Sequence, residues 1–249
     1  VALTPMMQQY LELKRKYADC ILFFRLGDFY EMFFDDAKLV SKELELVLTG
    51  KDCGLEERAP MCGVPYHAAS GYIARLVEKG YKIAICEQLT DPATSKGLVE
   101  RDVIRIVTPG TVSDPTLLDE KSANYVLCVA FVGKAAALAY ADVSTGELIA
   151  HLLPAPESTL SDELARIRPQ EIVTNSAEKL SAYLPVHVSV TELEETTFSK
   201  RAAQHAILEH FHVPTLFALG LEERDRRFIA AGALLIYLND TQKNALCHV

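Results

Sequence analysis

No stretch of this 249-residue sequence approaches the roughly 20 consecutive apolar residues that cross a bilayer. The two most apolar runs, residues 123–132 and 228–238, have the length of core elements. The first residues lack the charged, then apolar, then small-residue order of a secretory signal. None of the six cysteines forms a C-x-x-C pair, and Cys53 and Cys62 have no second close pair to complete a zinc site. Cys20, Cys86 and Cys128 fall in strand-like apolar runs, so the set reads as reduced, buried thiols of a cytosolic protein. No G-x-x-x-x-G-K-[ST] phosphate loop occurs, and no Ser-His-Asp or Cys-His set has motif support. ATP hydrolysis and nucleophilic catalysis therefore have no recognisable residues here. There is no surplus of positive charge either. The net charge is −9, with 14 Lys and Arg against 16 Asp and Glu in residues 1–110 and 11 against 18 in residues 111–249. Strong non-specific nucleic-acid binding relies on many phosphate contacts. Binding of that kind by this stretch alone is expected to be weak, and any DNA function must rest on a few placed groups.

What the sequence does have is enough apolar content, 49%, to bury one large core or two ordinary ones. A change of pattern near residues 108–119 favours two. Thr4-Pro5 supplies an N-cap hydroxyl and a first-position Pro for a helix to about Tyr17. Residues 20–26 read as a buried strand, Gly27-Asp28 as a tight turn and residues 29–33 as the returning strand. Asp35 or Asp36 is expected to cap a following helix, and residues 59–65 read as a Pro- and Gly-marked loop. A helix over 68–78, ended by Gly80, and strands over 82–89 and 102–107 complete the first part. After the turn-rich bridge come three strands, 124–132, 135–143 and 147–153, which form an antiparallel meander. Then helix and strand alternate: helix 161–168, strand 171–175, helix 176–183, strand 186–191, and helices 199–210 and 222–238. The expectation is an α/β chain of two domains, a mixed-sheet domain over 1–108 and a ribonuclease-H-like domain over 121–243, with a linker at 109–120. Val1 is not an initiator Met, and the last residues follow an amphipathic helix without tail-like composition. The sequence is thus expected to be a piece of a longer chain.

The segment Gly27-Asp28-Phe29-Tyr30-Glu31 carries the most pointed chemistry. Side chains alternate faces along a strand, so Phe29 and Glu31 project together at the tip of a hairpin and Tyr30 projects oppositely. A flat apolar ring beside a carboxylate suits a probe: the ring stacks or wedges, and the acceptor tests what the ring touches. Apolar wedges in the minor groove unstack a base step at a cost of a few kcal/mol. Mismatched steps yield more easily, and that difference in deformation energy becomes discrimination. Taken alone, Phe-x-Glu also fits a core Phe and a solvated Glu.

The longer context narrows the choice. GDFYEMFFDDA, APMCGVPYHA, AICEQLTDPATSKG and VERDVIRIVTPGT follow one another, then YADVSTGEL, LARIRPQEIV and AAGALLIYLNDTQ. In this order and spacing they resemble the N-terminal part of the MutS family of DNA mismatch-repair sensors, over nearly the whole chain. The resemblance implies a mismatch-recognition domain followed by a connector domain, with residues 244–249 leading into a core domain. It implies that Phe29 wedges in from the minor groove and stacks on the mispaired base, and that Glu31 hydrogen-bonds that base. If the base offers an acceptor such as a purine N7, Glu31 must be protonated to donate, and burial beside phosphates favours that form. Met61, Tyr66 and His67 lie in the loop the family places near the duplex. Arg58 and Lys96 are basic loop residues of the kind that touch phosphates, or else solvated charges. The family further implies mismatched or looped duplex DNA and MutL as partners, MutL through the connector, and a homodimer of the full protein. The fragment itself is expected to be a monomer with no membrane partner and a bacterial cytoplasmic, nucleoid-associated location. ATP and Mg belong to an ATPase domain outside this sequence, and no cofactor or metal is expected within it.

Two other classes fit parts of the sequence. A ribonuclease-H-like half raises a metal-dependent nuclease, with Asp142 and Glu171 as the available carboxylates. Two-metal chemistry needs several converging carboxylates, and the first meander strand carries none. Asp142 reads instead as a structural Asx-turn residue bonding at Ser144, Thr145 or Gly146. The acidic second half also fits a pure protein-docking module.

Overall fold

Thr4 and Pro5 open the first helix, α1 (Pro5–Lys16), as their order predicts. The Thr4 hydroxyl accepts from the Met7 amide at 3.4 Å, and Lys14, Arg15 and Lys16 sit at the C-terminal end of the helix dipole. The structure is a computed structural model. It describes residues 2–90, 97–112, 124–184 and 188–243, and the chain divides into two compact units, residues 1–109 and 110–249.

In the first unit, β1 (Ile21–Leu26) turns through Gly27-Asp28 into antiparallel β2 (Phe29–Phe33), with Leu26 opposite Phe29. Gly27 has φ 57°, a conformation glycine adopts without a Cβ penalty. Then come α2 (Phe34–Leu44), β3 (Thr49–Lys51), β4 (Ala59–Pro65), α3 (Ala69–Glu78), β5 (Ile83–Gln88) and β6 (Arg101–Val107). The sheet order is β3-β4-β2-β1-β5-β6, with β1 and β5 parallel and the other pairs antiparallel, so the sheet is mixed. On one face Met7 and Tyr10 of α1 pack on Leu22, Phe24, Phe33, Ala84, Cys86 and Val103. The Tyr10 ring meets Phe24 and Phe33 edge-on at 5.4 and 4.9 Å.

Two readings of this unit need correction, and one strand went unread. Residues 59–65 are not a loop. They form β4, which is paired with β2 on one side and β3 on the other, and this tertiary pairing overrides the Pro and Gly signals. The short β3 had no periodicity to announce it. Neither Asp35 nor Asp36 caps α2, whose N-cap is Phe33 without a side-chain bond. The Asp36 carboxylate is drawn to the sheet instead. It accepts from the Leu22 amide at 3.0 Å and pairs with Lys14 at 2.9 Å, which satisfies a charge that is nearly buried.

The second unit begins with the meander β7 (Tyr125–Val132), β8 (Ala135–Asp142) and β9 (Glu147–Leu153). It continues with α4 (Pro156–Ile167), β10 (Glu171–Thr174), α5 (Ala177–Ser181), β11 (Ser189–Glu192), α6 (Lys200–Phe211) and α7 (Arg227–Gln242). The order β11-β10-β7-β8-β9, with β10 parallel to both β7 and β11, is the ribonuclease-H-like arrangement expected. β8 is buried along its whole length, because helices cover both faces. Leu160, Leu164 and Ile167 of α4 pack on Leu127, Val129, Leu138 and Ile172. Residues of α6 and α7 pack on Val126, Cys128, Ala137, Ala139 and Ala141. Alanines on that face let α7 lie close.

Two helices start elsewhere than the pattern suggested. α4 begins at Pro156 rather than 161, with Pro at the first position, where its missing N–H costs nothing. α7 begins at Arg227 rather than 222. The Asp225 carboxylate accepts from the Arg227 amide and guanidinium at 3.0 and 2.5 Å, which fixes the bend before the helix. Part of the bridge packs on the second unit. The Gly110 amide donates to Glu171 at 3.3 Å, and the Asn124 side chain donates to the Val112 carbonyl at 3.2 Å. Five of the cysteines, Cys20, Cys53, Cys62, Cys86 and Cys128, are buried free thiols, and Cys247 lies outside the described residues. No helix among the described residues is long and apolar enough to cross a membrane.

Candidate nucleic-acid interface

The β1–β2 hairpin ends in a braced tip. The Gly27 amide donates to Gln88 at 2.9 Å, and its carbonyl accepts from the Arg25 guanidinium at 2.5 Å. The Arg25 guanidinium lies 3.8 Å from the Tyr66 ring centroid and 5.6 Å from that of Tyr30, and it donates to Glu87 at 3.3 Å. The Tyr30 hydroxyl bonds the same Glu87 carboxylate. Burial first, then that bond, raises the pKa of Tyr30 and keeps the hydroxyl protonated. From the 3-10 turn just after β4 the Tyr66 amide donates to the Asp28 carbonyl at 2.9 Å. The turn is thus held from both sides, so a ring mounted on it is preorganised.

Phe29 is that ring. It is 46% exposed, although it follows a strand of buried Phe and Leu. Glu31 projects from the same face, opposite Gly63 of β4, while Tyr30 points to the opposite face. Glu31 is not a solvated carboxylate. Its side chain is 16% exposed, and Lys51 of β3 reaches it at 2.5 Å. Gly63 leaves room for this arrangement: a Cβ there would stand 3.4 Å from the Glu31 Cγ and 3.2 Å from the Tyr30 carbonyl.

The other sequence candidates divide. Met61 lies within β4, opposite Phe33 and Thr49, and accepts weakly from the Thr49 hydroxyl at 3.7 Å. Tyr66 and His67 are exposed in the 3-10 turn that follows β4, their rings edge-on at 5.9 Å. One face of the Tyr66 ring is already taken by Arg25. Arg58 is exposed, its side chain lying over Gly50. Lys96 lies outside the described residues. Sequence reasoning missed Arg25 and Lys51. Arg25 left a trace, a charge inside an otherwise apolar strand, whereas nothing in the pattern singled out Lys51.

Family models match both units. MutS domain I covers residues 4–116 and MutS domain II covers residues 124–249. The chain belongs to the MutS family. It is 52% identical to the DNA mismatch repair protein MutS of Ruminiclostridium cellulolyticum, over 99% of this chain and 29% of that protein. It is 50% identical to the MutS of Acetivibrio thermocellus, over 100% of this chain and 29% of that protein. A third relative, the MutS of Clostridium tetani, is 48% identical over 99% of the chain and 28% of its own length. The chain thus spans less than a third of the length of these relatives.

In the domain II part the two carboxylates that a nuclease would need are committed to structure. Asp142 accepts from the Ser144 amide and hydroxyl at 2.9 and 2.6 Å and from the Asn124 amide at 3.1 Å, the Asx-type turn anticipated from the sequence. Glu171, fully buried, accepts from the Tyr237 hydroxyl at 2.5 Å and the Gly110 amide at 3.3 Å. Among the described residues no group of three or more His, Cys, Asp or Glu converges on a metal position. Asp142→Ala leaves two amides without their acceptor, so it should cost about 2–3 kcal/mol. A thermal melt checks this. An unchanged midpoint would contradict the structural role.

Proposed function

We propose that this chain is the mismatch-reading and connector part of a bacterial cytoplasmic DNA mismatch-repair sensor. In this reading Phe29 enters a weakened base step from the minor groove and stacks on the mispaired base, while Glu31 hydrogen-bonds that base. The connector relays to MutL and to an ATPase carried outside these residues, in a protein that works as a homodimer. The fragment itself hydrolyses no ATP and binds as a monomer.

The observation that carries the reading is an exposed Phe29 on a turn fixed by Arg25, Gln88 and Tyr66, with a lysine-paired carboxylate two residues on. The half-exposed ring would gain apolar burial if a base covered it, and the braced turn holds it ready for that contact. Base pairs in a normal stack resist the wedge, whereas a mispair has already lost part of its stacking and pairing energy. With a net charge of −9 the fragment has little general attraction to phosphates, so most of its contribution is discrimination rather than affinity.

The test is a Glu31→Gln variant of the full-length protein that carries this sequence, titrated with G·T and fully paired duplexes at one salt concentration. The amide removes a negative charge beside phosphates, so affinity for both duplexes should hold or rise. It also changes the group that questions the base, so the ratio between them should fall. A large loss of affinity for both duplexes would refute the assigned role of Glu31.

A further inference from the structure

The proposed role of Glu31 leaves an electrostatic difficulty, since a carboxylate pressed toward a duplex is repelled by its phosphates. The structure contains the means to cancel that repulsion. The Lys51 ammonium lies 2.5 Å from the Glu31 Oε2 and 5.7 Å from the centre of the Phe33 ring, on the same face as Phe29. Lys51 is on β3 and Glu31 on β2, with β4 between them. The β4 residues opposite the two are Ala59 and Gly63, both small. Met61 lies between Ala59 and Gly63 on the same face of β4, so the lysine stem passes beside it to reach Glu31. Both partners are largely shielded, with side-chain exposures of 32% and 16%, so solvent screens the pair less than it screens a surface ion pair. Among the described residues no hydrogen bond occupies the second oxygen of Glu31.

We propose that Lys51 is a positioning residue for mismatch recognition. It presents Glu31 to DNA as one half of a neutral pair, with Oε2 tied to the ammonium and Oε1 left to accept from a base N–H. This rests on the reading of Phe29 and Glu31 given above. Lys51 acts through Glu31 and not as a separate phosphate contact. Two consequences follow. Removing the ammonium harms binding because it leaves an unpaired carboxylate against the duplex. The same change does little once Glu31 has become a neutral amide.

A double-mutant cycle separates these cases. Full-length protein with Lys51→Met, Glu31→Gln, or both is titrated with G·T and paired duplexes over a range of salt, and Lys51→Arg serves as the conservative variant. Lys51→Met should weaken binding to both duplexes by about tenfold in the parent and by less than about twofold in the Glu31→Gln background. Lys51→Arg should bind as the parent does. Equal losses in the two backgrounds, with the salt slope reduced by about one, would mean a direct phosphate contact and would overturn the proposal. So would a Lys51→Met protein that binds like the parent. Lys51→Gln repeats the cycle if Lys51→Met fails to fold in a thermal melt. Phe29→Ala, run alongside, keeps the two readings distinct. If it retains discrimination the wedge reading fails. If it loses discrimination while Lys51→Met is additive with Glu31→Gln, only the role of Lys51 fails.

Discussion

Phe29→Ala in the full-length protein should reduce affinity for a G·T duplex by roughly ten- to a hundredfold and leave affinity for the paired duplex nearly unchanged. The magnitude comes from stacking, since an aromatic ring on a base is worth about 1–3 kcal/mol and each 1.4 kcal/mol is about tenfold. The selectivity comes from where the ring can go. A paired stack does not admit it, so little is lost when it is removed. Folding should not confound the measurement, because Phe29 is 46% exposed and lies at the rim of the core rather than inside it. The brace around the turn relies on Arg25, Gly27 and Gln88 and makes no use of the Phe29 side chain. Binding titrations at fixed salt, with a thermal melt as control, decide the matter. A variant that still prefers the mispair by the parental ratio would end the assignment of Phe29.

Gly232→Ala should destabilise the second unit by about 3 kcal/mol, although the same change inside a helix normally stabilises by up to about 1 kcal/mol. The sign reverses because α7 crosses α6 at Gly232 and Ala203. A Cβ on Gly232 would stand 2.3 Å from the Ala203 Cα and 2.4 Å from its carbonyl oxygen. Both are backbone atoms, so no rotamer change relieves the overlap, and the helices must move apart along a core that includes Phe228, Leu234 and Leu235. For a unit of this size the melting midpoint should fall by roughly 6–12 °C. Gly71→Ala is the matched control. Gly71 lies in α3 and its added Cβ meets nothing within 4 Å, so stability should hold or rise. Equal midpoints for the parent and Gly232→Ala would show that the two helices do not cross this closely.

Much of this is legible in the sequence. The alternation that sends Phe29 and Glu31 to one face is a property of extended backbone, and Gly27-Asp28 set the turn that brings them to a tip. The meander and the alternating helices of the second half pointed to a ribonuclease-H-like domain, because short turns favour antiparallel neighbours and helical crossovers favour parallel strands. Asp142 was legible as a turn residue because its partners lie two positions on. What failed was what depends on distant partners. Residues 59–65 look like a loop until β2 and β3 pair with them, and Asp36 looks like a cap until Lys14 and the Leu22 amide claim it.

The sequence by itself determined the local periods, the turn at Gly27 and the family whose motifs run in order along the chain. Tertiary structure alone decided that Lys51 meets Glu31 across a strand, that Arg25 and Tyr66 fix the hairpin tip, and that Phe29 remains open to solvent. The physical reason is range. Backbone conformation and face alternation are set within a few residues, whereas an ion pair between residues 31 and 51 exists only after β4 has been laid between their strands.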